Sequence, residues 1–161
     1  MATKRTLSFD EGAIEYDING KATAVFNPSD AEFIKRFHDT VESLDARQDE
    51  MEAVVDKAGD DPAAMYELLS ARDKSMRLSI DGLLGEGVAD ALFGDMNCYA
   101  LADGLPVWMN LILAIADEVN DNLDAEQAKA DPRLKAYTGK YDELLAKYKR
   151  EKPNRQKHTG K

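Results

Sequence analysis

The sequence predicts an α+β fold: an N-terminal antiparallel β-hairpin or meander, then a mainly α-helical body of about five or six helices. Three observations carry this prediction. Ile14, Tyr16 and Ile18 alternate with Glu15 and Asp17, the period of a half-buried strand, and Asn19-Gly20 follows at once. Downstream, apolar side chains recur every three or four residues, the signature of helices with one buried face. Asp-Pro pairs at 61–62 and 131–132 read as helix starts, with Asp as cap and Pro in the first turn.

The elements follow in order. Residues 6–27 read as a β-meander. "TLSF" offers a short first strand before the "DEG" turn, Ile14–Ile18 a second, and "KATAVFN" the return after Asn19-Gly20. A lone hairpin is marginal in water, so this sheet must pack on the helices. Pro28 ends the β region, and Ser29 with Glu32 forms a capping box. A helix is expected to about Lys57, stopped by Gly59, with Phe33, Phe37, Val41, Leu44, Met51 and Val55 on one stripe. The second helix carries Met65, Leu68, Leu69, Met76, Ile80 and Leu83, up to the break at "GLLGEG". Short helices over about 87–93 and 96–103 should end at Gly94 and Gly104. Pro106 opens a helix to about Asp124, with Trp108, Leu111, Ile112 and Ile115 deeply buried. The last helix, from Asp131-Pro132, bears Leu134, Tyr137, Tyr141, Leu144, Leu145 and Tyr148, a stripe that reads first as core packing.

At 161 residues, a single domain over 1–148 is expected, with 29–148 as its helical body and 149–161 as a basic, disordered tail. The net charge is −10, distributed unevenly: 140–161 holds eight Lys/Arg and three Asp/Glu, a balance of +5 against −15 for 1–139. The acidic body repels phosphate backbones, which argues against nucleic-acid binding. The N-terminal residues carry charge but no apolar stretch, so no secretory leader is expected. The longest apolar run, 105–116, is broken by Asn110 and falls short of the roughly 20 residues of a membrane helix.

Catalytic and metal-binding patterns are missing. His38 and His158 have no nucleophile motif beside them, and Cys98, the only cysteine, lies in a segment expected to be core. The acidic run 117–127 lacks the glycine and alternating oxygen ligands of a calcium loop. "DGLLGEG" lacks the Lys-Ser/Thr of a phosphate loop. No catalytic residue, cofactor site or metal site is therefore assigned. The side chains expected to contact a protein partner are Met65, Met76, Tyr137 and Tyr141, chosen for adaptable or amphipathic surface.

Two segments, "FDEGAIEYDINGKATAVFNPSDAEF" and "LFGDMNCYALADGLPVWMNLI", resemble small proteins encoded in the tail-morphogenesis regions of long-tailed (siphovirus) phages and prophages of Gram-positive bacteria, the tail assembly chaperones. The resemblance spans about residues 7–140. It implies a non-catalytic protein of the host cytoplasm that binds the tape-measure protein and tail-tube subunits during tail assembly. It offers no catalytic residues to carry over, and homo-oligomers are compatible with it. The competing expectations are a structural virion component (a tail-completion or connector protein) and a small regulatory or anti-defence protein binder.

Overall fold

The computed structural model describes residues 1–151, with side chains described except at 44–51, 54, 55 and 151. Of the tail expected over 149–161, residues 149–151 continue a helix rather than being disordered, while the rest, including His158, and the side chains of Leu44, Met51 and Val55 lie outside the described residues. The fold is an N-terminal antiparallel two-stranded hairpin followed by a mainly helical body, as the sequence predicts.

Strands β1 (Ile14–Ile18) and β2 (Ala22–Phe26) pair with Tyr16 opposite Ala24. Asn19 and Gly20 both have positive φ, 55° and 68°, and the Lys21 N–H closes the turn on the Ile18 carbonyl at 3.0 Å. The ladder pairs Ile18 with Ala22, which leaves Lys21 as an extra residue beside the turn. The third strand expected at "TLSF" does not form, and Leu7 and Phe9 are exposed. Instead, Asn27 anchors the preceding turn: its Nδ2 donates to the Glu11 carbonyl at 2.9 Å, and a Cβ on Gly12 would meet that Nδ2 at 2.5 Å.

Helix α1 (Ala31–Ala58) is capped by Asp30, whose carboxylate accepts from the Glu32 N–H at 3.0 Å. Ser29, the expected cap, is occupied elsewhere, because its N–H and hydroxyl both donate to Asn27 Oδ1. Helix α2 (Pro62–Leu84) starts as predicted, with Asp61 accepting from the Ala63 N–H at 3.1 Å. Helix α3 (Val88–Phe93) ends at Gly94. The segment expected as a helix over 96–103 forms turns and a small hairpin, β3 (Leu101–Ala102) with β4 (Leu105–Pro106). Two local signals defeat the helix. Asn97 Oδ1 captures the Tyr99 N–H at 2.9 Å, and Asp103-Gly104 takes positive φ at both residues.

Helix α4 (Val107–Glu151) covers what the sequence divides into two helices. The intervening "AEQAKA" consists of strong helix formers, and Pro132 is carried inside the helix at the loss of one backbone hydrogen bond. Two compact units are distinguished along the chain, Met1–Asn120 and the residues from Asp121 on. The core belongs to the first unit. Phe33 from α1, Met76 and Ile80 from α2, Leu92 and Phe93 from α3, and Trp108, Ile112 and Ile115 from α4 are all buried. The hairpin joins them through stacked rings, Tyr16 on Phe26 at 4.5 Å and Phe26 on Phe33 at 4.2 Å. Leu111, expected in this core, is only half-buried.

Candidate functional site

Three side-chain groups have the composition of chemistry, and each reads differently once placed. His38 is exposed on α1, with Asp39 at 3.9 Å and Glu42 at 3.7 Å. These three are the one group of potential metal ligands among the described residues, and all lie on open surface. Cys98 is fully buried, and burial, reinforced by Asp73, pushes its thiol up to about 12. A thiol held protonated in that way is a poor nucleophile.

Asp73 and Arg77 form the third group, one helical turn apart on α2, with side chains only 16% and 13% exposed. Arg77 Nε donates to Asp73 at 3.0 Å and its Nη1 to Asp90 at 3.0 Å. Its Nη2 donates to the carbonyls of Gly94 and Met96, at 2.8 and 2.7 Å. The other Asp73 oxygen accepts from the Cys98 N–H at 2.8 Å. Burial alone would raise the Asp73 carboxyl, but the Cys98 amide and the Arg77 guanidinium outweigh it and hold it below its usual range. Arg77 and Asp73 hold each other within α2, and their remaining polar contacts clasp α2 to α3 and the following loop. The cluster is a structural fastening.

On the first unit, two neighbouring hollows of about 240 and 350 Å³ share Ile18, Asn19, Leu111 and Ala114 in their walls. Leu111 is half-buried because it faces both. Tyr16 stands at one of them, donating its hydroxyl to Glu118 at 2.7 Å. Burial and then Glu118 push the Tyr16 hydroxyl pKa upward. These hollows lie at or below the small end of small-molecule sites and fit one or two apolar side chains.

The second unit carries a run of exposed apolar side chains. From Asp124 to Arg150 every side chain of α4 is exposed. Among them are Leu134 (61%), Tyr137 (67%), Tyr141 (50%) and Leu144 (62%), followed by Leu145 and Tyr148, also exposed. The steps from 134 to 137, 141, 144 and 148 are three, four, three and four residues, which sets these side chains in one seam along the helix. Tyr137 and Tyr141 stack along it, with ring centroids 6.5 Å apart. Arg133, Lys140 and Lys147, seven residues apart, line one edge of the seam.

Of the side chains proposed from sequence to touch a partner, the structure therefore brings Tyr137 and Tyr141 together on one open face. Met65 is half-buried on α2. Met76 is 1% exposed and packs in the core, so no partner reaches it. Its place four residues before Ile80 puts it on the buried face of α2. Leu134 and Leu144 lie open on the same face and were not among the residues chosen from the sequence. Their signal was present as the three–four repeat, but it was read as core. Among known proteins, no family model, no curated protein and no solved structure matches the chain. Among the described residues, no helix is long and apolar enough to cross a membrane.

Proposed function

We infer that this chain is a non-catalytic protein-binding module that holds an amphipathic helical segment of a client. Together with the resemblance of residues 7–140, this reading makes it a tail assembly chaperone acting in the host cytoplasm, with the tape-measure and tail-tube proteins as partners. The observation that supports holding is the exposed seam of α4: Leu134, Tyr137, Tyr141 and Leu144 lie open on a helix whose spacing suits a second helix. Burial of such a seam contributes on the order of 25 cal/mol per Å² before association costs, enough for a reversible grip. Tyrosine suits a transient holder, because its ring packs while its hydroxyl stays wet when the client leaves.

Co-expression with successive tape-measure fragments, followed by capture of this chain, tests the reading. At least one fragment should be retained, and a double substitution Leu134→Asp and Leu144→Asp should release it. Retention of no fragment, with normal tails formed when the gene is deleted, overturns the reading in favour of a regulatory binder. Abundant peptides of this chain in purified virions would instead mark a structural component.

A further inference from the structure

We propose that the occupant of the α4 seam is an acidic amphipathic helix of another protein, with Glu or Asp flanking its apolar side chains at seven-residue spacing. This rests on the protein-binding reading above and specifies the chemistry of the partner.

The inference starts from the edge of the seam. When Leu134, Tyr141 and Tyr148 take one core position of the heptad and Tyr137 and Leu144 the other, Arg133, Lys140 and Lys147 all occupy the same flanking position. Flanking positions select partner and orientation in paired helices, because their charges meet across the interface. Three cations in one row, each exposed, call for a row of carboxylates.

A second copy of this chain does not supply that row. Packed antiparallel, two copies would set Arg133, Lys140 and Lys147 against the same three cations. Packed parallel, they would oppose Lys140 to Leu145 and Arg133 to Thr138, neither of which is acidic, and would set Glu126 against Asp131. Like charges across a helix pair oppose association, so neither arrangement answers the pattern.

The helix itself also needs a partner. α4 carries Pro132 internally and Gly139 seven residues on, both costly to a helix, while its side chains from Asp124 to Arg150 are exposed. Helices in proteins draw most of their stability from packing one face, and here that face is open. The seam from Leu134 to Tyr148 spans about 21 Å at 1.5 Å per residue, the length of a docked helix of about four turns.

The test uses the full chain and three fluorescein-labelled helical peptides of about three heptads. They share a Leu/Ile seam and differ only in flanking residues: Glu, Lys or Gln. Fluorescence anisotropy should show the Glu peptide binding roughly tenfold or more tightly than the Lys peptide at low salt. The gap should shrink between about 50 and 500 mM salt, as screening requires. The exposed triple variant Arg133→Glu, Lys140→Glu, Lys147→Glu should reverse the preference while keeping its circular dichroism. Equal binding of all three peptides overturns the acidic partner and leaves the holding function intact. Binding of none by a monomeric chain overturns both. Binding of none by a chain that sediments as a dimer, lost in Leu144→Asp, assigns the seam to a second copy and overturns this inference.

Discussion

Met76, Ile80 and Leu83 on α2 are spaced four and three residues apart, and so are Tyr137, Tyr141 and Leu144 on α4. The first three are 1%, 1% and 6% exposed, the second three 67%, 50% and 62%. Identical spacing therefore yields the centre of a core in one unit and an open face in the other. The periodicity of a helix states which side chains share a face. It does not state what covers that face. The two stripes differ in chemistry: the buried one is wholly aliphatic or thioether, whereas the open one is mostly tyrosine, which tolerates water at its hydroxyl.

The sharpest way to break this comparison is to remove matter from each region. Phe33→Ala should cost about 4 kcal/mol, since Phe33 is 1% exposed and stacks on Phe26 at 4.2 Å. Denaturant unfolding followed by Trp108 fluorescence measures it, and a loss below about 1 kcal/mol would show that the first unit is not packed as described. Next in size is Arg77→Ala, expected to cost about 3 kcal/mol because it leaves Asp73 largely buried without its cation. The same assay reads it, and the Cys98 thiol should become accessible to alkylation.

Gly20→Val should cost about 1–2 kcal/mol. Nothing lies within 4 Å of a Cβ there, so the penalty comes from the positive φ of 68° alone, and Gly20→Asn should recover most of it. Alkaline pH should act on the first unit through Tyr16 and Cys98, both raised when folded. Groups raised in this way contribute stability that is complete below their unfolded values, near 10.0 and 9.0, and is lost as pH climbs through the folded ones. The Tm of the Trp108 signal should therefore fall from about pH 9 upward, and the slope should be shallower in Tyr16→Phe. An unchanged slope in that variant would place the sensitivity elsewhere. The smallest expected effect is at the seam: Leu144→Ser should move the folding stability by less than about 0.5 kcal/mol while weakening client capture. A large destabilisation would mean that the seam is already covered within the folded chain.

Local chemistry accounts for what was legible. Asn19-Gly20, Asp61-Pro62, Gly59 and Gly94 each act through their own backbone, and each stands where the sequence places it. Competition between neighbouring side chains was harder to read. Ser29 and Asp30 both suit a cap, and Asn27 decides by occupying Ser29. Asp103-Gly104 carries the same turn signal as Asn19-Gly20, yet its glycine was read as the stop of a helix over 96–103. The candidate site was half legible. Tyr137 and Tyr141 could be picked for their amphipathic rings, but burial of Met76 and exposure of Leu134 and Leu144 follow from which elements meet, and no single segment encodes that.

The hydrogen bond from Tyr16 to Glu118 joins residues 102 positions apart in the chain. Synthesis proceeds from the N-terminus, so the hairpin emerges long before the residue that anchors it. At about 5–20 residues per second, the ribosome needs roughly 5–20 s to travel from one to the other. Through that interval the hairpin has α1 and α2 to pack on but lacks its anchor on α4, whose first turns do not yet exist. A stop codon anywhere before Glu118 would release a product with an unclosed core, and a pause there would lengthen the window in which Phe26 and Phe33 are open to proteases.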